Sequence, residues 1–165
     1  MNLSEIFDKQ KKLDKTILER SQHLLSNLTI EERNKLSKIS LIVEMGEFMN
    51  EIESFKYWKK NKKNNKDNIK EEFADVLHFI ISWAVIKDID PIIEPKIINN
   101  DVNDQYIEIM KSLVLLFDND NKENVTNSLS LILGLSKLVG LTPQEIKESY
   151  LVKNKINWER MQNNY

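Results

Sequence analysis

The sequence predicts an all-α fold, a bundle of about six helices in a single domain that spans residues 1–165. Only three Gly and three Pro occur in the 165 residues, so long stretches contain no residue that breaks a helix. Along these stretches, apolar side chains recur every three or four positions, which is the period of a helix with one buried face. Two Thr-x-x-Glu patterns also mark helix starts. A chain of this length can bury one core of ordinary size.

The first two helices are predicted from apolar periodicity and a capping box. Residues 3–24 form the first helix, in which Gln10 is the one polar member of the apolar face. The other members of that face are Ile6, Phe7, Leu13, Ile17 and Leu18. Thr29 and Glu32 have the spacing of a capping box, which opens a second helix that runs to about Phe55.

The third helix follows a loop rich in Lys and Asn. It covers residues 69–86, and either Asp67 or Asn68 can cap its start. Asp90 and Pro91 stop it, because proline disfavours a helical conformation in the residue before it. Its high density of apolar residues predicts burial on most sides.

The second half of the chain contains two more apolar helices. Residues 90–104 are expected to be irregular, and the helices cover residues 106–117 and 125–139, joined by a polar connection at 118–124. These helices are expected to serve as scaffold or as a dimer surface.

A last helix is predicted near the end of the chain. Gly140 suits the position just after a helix, where the backbone often turns left-handed. Thr142 and Glu145 form a second capping box, and Pro143 occupies the first helical position. The helix then runs towards Arg160.

Composition limits the chemistry. The chain has no cysteine, which excludes disulfides, thiolate zinc sites and cysteine nucleophiles. Its formal charge of −2 gives no general reason to bind nucleic acid, so the basic run at residues 59–66 is interpreted as a solvated loop. The first 24 residues lack the apolar stretch of a signal peptide, and no segment approaches the roughly 18 apolar residues of a membrane span. A cytoplasmic location is therefore expected.

Four acidic residues form the candidate chemical centre. Glu44 with Glu47, and Glu72 with Asp75, are each three positions apart, so each pair lies on one helix face, about 60° apart. Acidic residues number 26 of 165, so pairs at this spacing are common by chance, and the spacing alone is weak evidence for a functional site. Their place on the helical wheel is more specific, because each pair falls beside apolar side chains. These neighbours are Leu41, Phe48 and Phe55 on one helix and Val76, Phe79 and Trp83 on the other.

Carboxylates on such a surface need neutralisation, because unpaired buried charges are costly. Four converging carboxylates suit hard divalent cations such as Mg²⁺, which favours phosphoryl chemistry. Glu51 lies four residues after Glu47 and can join the site. The alternative is that Lys56, Lys70 or Arg160 pairs with these acids in structural salt bridges.

His78 follows Asp75 at a spacing that resembles half of a di-iron site. A ferritin-like centre needs two Glu-x-x-His motifs, and this chain has one Asp-x-x-His. His78 is therefore interpreted as structural.

Several segments carry a family resemblance. Residues 41–59 read LIVEMGEFMNEIESFKYWK and residues 71–82 read EEFADVLHFIIS. Gln10 begins a QxxLD pattern, and Lys153 begins a C-terminal KxxxNxxR pattern. Together these segments resemble the all-α NTP pyrophosphatase superfamily, and most closely the dimeric all-α dUTPases.

The resemblance implies a reaction and its metal. It implies a homodimer that hydrolyses dUTP, and dUDP, to dUMP and so limits uracil incorporation into DNA. It implies two or three Mg²⁺ ions per site, with Mn²⁺ as a possible substitute, held by the four acids already named, and a water near Glu47 that attacks the phosphate chain. Some phage members of the family engage repressor proteins, and the Asn- and Lys-rich composition fits a phage or a low-GC bacterium.

The resemblance also implies the substrate contacts. Gln10 and Trp58 would contact the uracil, and Asn157 would contact the deoxyribose. The phosphates would be bound by Lys153, Arg160 and, less securely matched, Lys56.

The chain departs from the family pattern in two places. No family motif can be placed over residues 90–124, and the ending NWERMQNNY differs beside the Asn and after the Arg. Two other functions are therefore retained. One is a MazG-like or dCTP-type pyrophosphatase with the same metals, and the other is a non-enzymatic interaction protein that binds partners through residues 113–116 and 129–138.

Overall fold

The computed structural model describes residues 1–22, 26–63 and 65–163, and their regular structure is helical. One isolated antiparallel bridge joins Asn2 to Ile92. The all-α prediction is confirmed, and the described residues form six helices, in agreement with the expected number. They are α1 (Ser4–Arg20), α2 (Ile30–Ile52), α3 (Lys66–Ile86), α4 (Val102–Asp118), α5 (Lys122–Leu138) and α6 (Pro143–Gln162).

The predicted boundaries of the first two helices need adjustment. The capping box of Thr29 and Glu32 opens α2 as predicted, whereas α2 ends at Ile52 instead of about Phe55. The reason is that Glu53 takes a left-handed conformation, with φ of 58°, which ends a right-handed helix. Helix α1 ends at Arg20, and the predicted end at residue 24 lies outside the described residues.

The predicted cap of the third helix is wrong. Asn65 caps α3 in place of Asp67 or Asn68, and its side chain accepts a hydrogen bond from the Asn68 amide at 3.3 Å. Helix α3 therefore begins three residues earlier than predicted, at Lys66, and it ends at Ile86 as expected.

The start of α6 follows its sequence signals. The capping box of Thr142 and Glu145 forms, with Pro143 at the first position. Gly140 has a φ of 78°, a conformation that costs a glycine nothing. The polar segment before α4 ends earlier than predicted, because Asp101 caps that helix by accepting from two backbone amides.

Helix α3 lies at the centre of the bundle and packs against α1, α2, α5 and α6. Its fully buried residues are Phe73, Ala74, Val76, Leu77, Ile80, Ile81 and Ala84. Helix α4 packs against α5 and also touches α2. Because α2 and α3 are direct neighbours, the acidic pairs that they carry are brought together by the main packing interface of the fold.

Most apolar residues of α5, but only Ile109, Leu113 and Leu116 among those of α4, belong to the core. Leu113, Leu116, Leu129, Leu133 and Leu135 are each at most 1% exposed. The idea that residues 113–116 and 129–138 form a partner-binding surface is therefore wrong for these side chains, since a buried residue cannot contact a partner.

Segment 94–98 crosses α5 at very short range. A Cβ atom on Gly134 would lie 2.0 Å from the Lys96 carbonyl oxygen. The Gln105 side chain fixes the crossing, because its Nε2 donates to the carbonyls of Lys96, at 2.9 Å, and Leu131, at 3.0 Å. The backbone amide of Ile98 donates to the Gln105 Oε1 at 2.9 Å. Glycine at position 134 is what permits this approach.

Across the described residues, each helix taken singly is too short or too polar to cross a membrane. Helices α5 and α6 reach the required length and apolar character only as a pair, and they are bent by 111° relative to each other.

Candidate active site

Three carboxylates converge where α2 packs against α3. Glu44 on α2 and Glu72 and Asp75 on α3 each place one oxygen within 4.8 Å of the other two. All three side chains are half-buried. Glu47 is exposed and lies outside this group. Glu47 nevertheless acts on this group electrostatically, because its negative charge raises the pKa values of Glu44 and Glu72.

The carboxylates of this cluster are poor acids. Burial, followed by the charges of Asp75, Glu47 and Glu72, raises the pKa of Glu44 to about 7. Burial and then Asp75 raise the pKa of Glu72. Burial also raises the pKa of Asp75, against the lowering effect of Lys153. The carboxylate oxygens of these residues therefore repel one another in the folded chain, and a bound cation would reduce this repulsion.

The donor set fits a hard divalent cation. Every candidate ligand is a carboxylate oxygen, and Mg²⁺, Mn²⁺ and Ca²⁺ prefer such ligands. A soft metal would be expected to use sulfur or imidazole.

The charge that pairs with this cluster comes from α6. Lys153 Nζ lies 2.6 Å from Asp75 and 3.3 Å from Glu71, with the lysine side chain 12% exposed. The salt bridges predicted as an alternative are absent for two of the proposed cations, because Lys56 pairs with Glu53 and Lys70 pairs with Asp67. Arg160 is exposed, and its charge acts on Asp75 from a distance.

The C-terminal motif lies along one face of α6. Lys153, Asn157 and Arg160 are separated by four and three positions, so they share the side of α6 that meets α3. Asn157 is half-buried. Of these three residues, Lys153 contacts Asp75 directly, and the charge of Arg160 also acts on Asp75.

Glu51 does not point its carboxylate at the acidic cluster. It accepts hydrogen bonds from Lys63 Nζ at 2.7 Å and from Asn68 Nδ2 at 3.2 Å. The hydrogen bond from Lys63 lowers the pKa of Glu51. The expectation that Glu51 joins the metal site receives no support from this arrangement.

Gln10 is the centre of a buried polar network. It is 3% exposed, and its Oε1 accepts a hydrogen bond from the Tyr150 hydroxyl at 2.6 Å. The same oxygen lies 2.8 Å from His78 Nδ1. Its Nε2 donates to Asp14 at 2.6 Å. Gln10 therefore ties α1 to α3 and α6, which the sequence pattern did not reveal.

His78 has one ring nitrogen available to a ligand. Burial, followed by the charge of Lys153, lowers its pKa to about 4, so the ring is neutral near pH 7. Because the Gln10 Oε1 only accepts, Nδ1 carries the proton and Nε2 is an acceptor. Nε2 is buried without a hydrogen-bond partner, and the ring stacks on Tyr150 with centroids 4.4 Å apart. The interpretation of His78 as purely structural is therefore incomplete.

Asn154 Nδ2 is a hydrogen-bond donor that, like the acceptor His78 Nε2, is buried without a hydrogen-bond partner among the described residues. In the described part of the chain, three buried side-chain atoms lack a hydrogen-bond partner: Arg33 Nε, His78 Nε2 and Asn154 Nδ2. Buried polar atoms are normally satisfied, so such atoms often face a ligand or water. Asn154 follows Tyr150 by one turn of α6, and its side chain lowers the pKa of Tyr150 against the larger raising effect of burial. Sequence reasoning missed Asn154, since an Asn on a terminal helix carries no distinctive signal.

The aromatic segment after α2 is exposed. Trp58 is 65% exposed and makes edge contacts with Tyr57, at 5.1 Å between ring centroids, and Phe55, at 6.2 Å. The predicted place of Phe55 on the apolar arc near Glu44 is wrong, because α2 has already ended. Trp58 is therefore accessible to a ligand.

The basic run at 59–66 is anchored by ion pairs. Lys59 pairs with Glu53 at 2.7 Å, Lys63 with Glu51 at 2.7 Å and Lys66 with Glu145 at 2.6 Å. The three lysine side chains remain 36–50% exposed, so the run is a solvated connection between helices, as predicted, that ion pairs also hold in place.

The raised pKa of Glu44 predicts a pH-dependent stability for the metal-free protein. Between about pH 4.5 and pH 7, folded Glu44 holds a proton that the unfolded chain has released, so the free energy of unfolding falls as pH rises through this window. After discounting for solvent screening, we expect a loss of about 1–2 kcal/mol. Urea denaturation in the presence of a chelator, at several pH values, measures it.

Two matched variants separate the effect of Glu44 on stability from the titration of the other acidic residues. Glu44→Gln should remove this part of the pH dependence, whereas Glu108→Gln, on the exposed side of α4, should retain it. An unchanged pH profile in Glu44→Gln would contradict the assignment.

The chain matches a known protein family over nearly its whole length. A family model described as dUTPase matches residues 2–165, nearly the whole chain. No curated protein matches the chain significantly. The match covers both helices of the carboxylate cluster and the C-terminal motif beside it.

Proposed function

We propose how this chain, which belongs to the dUTPase family and is a dUTP diphosphatase, carries out its reaction. It hydrolyses dUTP, and also dUDP, to dUMP with Mg²⁺ bound by Glu44, Glu47, Glu72 and Asp75. The observation that carries the proposal is the approach of three carboxylate oxygens to within 4.8 Å. Such a group is suited to divalent cations that also bind phosphate oxygens.

When bound, divalent cations would supply positive charge that neutralises the phosphate chain and would lower the pKa of a bound water. We expect two or three Mg²⁺ ions per site, or Mn²⁺ in their place. Glu47 has a distinct role. Because it is exposed at the edge of the cluster, its carboxylate can accept a hydrogen bond from the attacking water and orient it towards phosphorus.

The phosphates are bound by cations around the cluster. Lys153 already lies 2.6 Å from Asp75, so its ammonium can bridge a carboxylate and a phosphate oxygen. Arg160 stands on the same face of α6, and its planar guanidinium suits phosphate oxygens. Lys56 contributes from the loop after α2. Lys153 and Arg160 stabilise the charge that develops on the phosphate chain, whereas Lys56 binds the phosphates equally well before and during the reaction.

The nucleoside is recognised beside the buried network. Trp58 supplies an exposed ring for the uracil, and Asn157 binds the deoxyribose. His78 Nε2 and Asn154 Nδ2 offer an unpaired acceptor and an unpaired donor, which a pyrimidine edge or a sugar hydroxyl can satisfy together. Gln10 orients His78, and its contact with the base would use the second N–H of Nε2, since the first donates to Asp14.

Hydrolysis of a nucleotide panel tests this function. We expect dUTP and dUDP to be hydrolysed with Mg²⁺, and dCTP, dTTP and UTP to have at least about 100-fold lower kcat/KM. Cytosine has a different hydrogen-bonding edge, thymine adds a methyl group that needs room, and UTP adds a 2′-hydroxyl on the sugar. A chelator should abolish activity and added Mg²⁺ should restore it. Strong dCTP hydrolysis without dUTP hydrolysis would favour the dCTP-type alternative and overturn the substrate assignment.

A homodimer is also proposed, from the outward apolar faces of two helices. On α2, Leu36, Ile39 and Val43 are each at least 44% exposed, and on α4, Ile107 and Val114 are at least 49% exposed. Such residues follow helical spacing on the side opposite the core, as in an interface. Light scattering of the purified protein tests this, and a monomeric mass would contradict it.

A further inference from the structure

Glu53 occupies an unusual position directly after α2. It is a charged residue with only 1% of its surface exposed, and its backbone is left-handed, with φ of 58°. Residues other than glycine rarely adopt this conformation, which requires support from the surrounding structure. The chain thus maintains an unfavourable backbone in order to bury a carboxylate at this point.

The buried carboxylate of Glu53 organises the following loop. Its Oε1 accepts from Lys56 Nζ at 3.0 Å and from Lys59 Nζ at 2.7 Å. Its Oε2 accepts from Lys59 Nζ at 2.8 Å and from the backbone amide of Lys63 at 2.6 Å. The hydrogen bond from Lys59 is the largest of several effects that lower the pKa of Glu53 to about 2. One side chain therefore fixes both ends of segment 56–63.

The organised loop lies at the edge of the carboxylate cluster. Lys63 Nζ binds Glu51 at 2.7 Å, and Glu51 also binds Asn68 at the start of α3. Glu51 follows Glu47 by one turn of α2, and Asn68 precedes Glu72 by one turn of α3. These contacts therefore place the loop one helical turn from the candidate metal site.

The two lysines held by Glu53 retain free donors. An ammonium group has three N–H bonds. Among the described residues, Lys59 Nζ donates only to the Glu53 carboxylate, and Lys56 Nζ donates to Glu53 and to the Asn50 carbonyl. Each can therefore contact a phosphate oxygen without leaving Glu53.

We propose that Glu53 is a positioning residue that holds Lys56 and Lys59 in place to bind the polyphosphate of the substrate. The inference rests on the proposed function, which supplies the polyphosphate. Lysine side chains are flexible, so fixing them at the moment of ligand binding costs entropy and weakens the binding. This cost is avoided when the side chains are already fixed in the free protein. Glu53 orders both side chains before the ligand arrives.

Binding of Mg²⁺-tripolyphosphate, measured by calorimetry, tests the proposal without requiring hydrolysis. We expect Glu53→Gln to weaken binding about tenfold and to raise the KM for dUTP similarly, with kcat within about twofold, since ground-state and transition-state binding are lost equally. Glu53→Asp, which keeps the charge, should recover part of the affinity. Glu108→Gln breaks an exposed ion pair on α4 with Lys111 and should change neither quantity.

A double-mutant cycle separates positioning from general stabilisation. Lys56→Met with Lys59→Met should weaken binding by a similar factor, and adding Glu53→Gln to that variant should produce no further loss. Unchanged binding in either variant, or full additivity, would overturn the proposal. If Glu53→Gln fails to fold, Glu53→Asp and the lysine variant still decide the question. Tripolyphosphate binding by a wild-type protein that does not hydrolyse dUTP would instead count against the proposed function alone.

Discussion

Glu47→Gln is expected to lower the rate of dUTP hydrolysis by a factor of about 10³ while leaving the fold intact. Glutamine preserves the size of the side chain and removes its charge, so both metal binding and the orientation of the attacking water are lost. Glu47 is exposed, and the substitution therefore leaves no cavity and no unpaired buried group. Steady-state kinetics with saturating Mg²⁺ and thermal unfolding of the same preparation measure the two quantities.

The same substitution elsewhere provides the control for Glu47. Glu108→Gln lies on the exposed side of α4, away from α3, and should retain full activity. A wild-type rate in Glu47→Gln would refute the place of this residue in the reaction. A loss of folded protein would show instead that Glu47 acts through stability.

Gly134→Ala is expected to destabilise the fold by about 3 kcal/mol. The new methyl group would lie 2.0 Å from the Lys96 carbonyl oxygen and 2.6 Å from its carbonyl carbon. A backbone clash cannot be relieved by a change of rotamer, and moving segment 94–98 would break both hydrogen bonds that Gln105 makes with it. Urea denaturation measures the change in the free energy of unfolding.

Gly46→Ala is the matched control and should have the opposite sign. Gly46 lies within α2, and a Cβ there meets nothing within 4 Å. Alanine is favoured over glycine inside a helix by about 0.5–1 kcal/mol. If Gly46→Ala destabilised the fold as much as Gly134→Ala does, the close approach of segment 94–98 to α5 could not be the cause of the destabilisation.

The helices could be predicted because their signals are local. Apolar periodicity and the capping boxes at Thr29 and Thr142 depend on residues within a few positions of each other. The misplaced boundaries arise from tertiary effects. Glu53 ends α2 because its carboxylate binds residues up to ten positions later, and Asn65 was one of several equivalent caps in a Lys/Asn-rich loop.

The site could be predicted in part. The positions of Glu44, Glu72 and Asp75 on two helices implied convergence, provided that the helices pack together. The partner of Asp75 could not be deduced, because Lys153 lies 78 positions later and meets it only through the packing of α6 on α3. Which His78 nitrogen is left without a partner depends likewise on Gln10, in another helix.

The carboxylate cluster also links the lifetime of the protein to its metal supply. Near neutral pH the repelling oxygens of Glu44, Glu72 and Asp75 weaken the metal-free fold, and a cation that binds only the folded chain restores stability by mass action. Proteases degrade unfolded chains, so a small change in stability alters abundance several-fold. In a cell, depletion of divalent cations would therefore stop the reaction and also remove the enzyme itself.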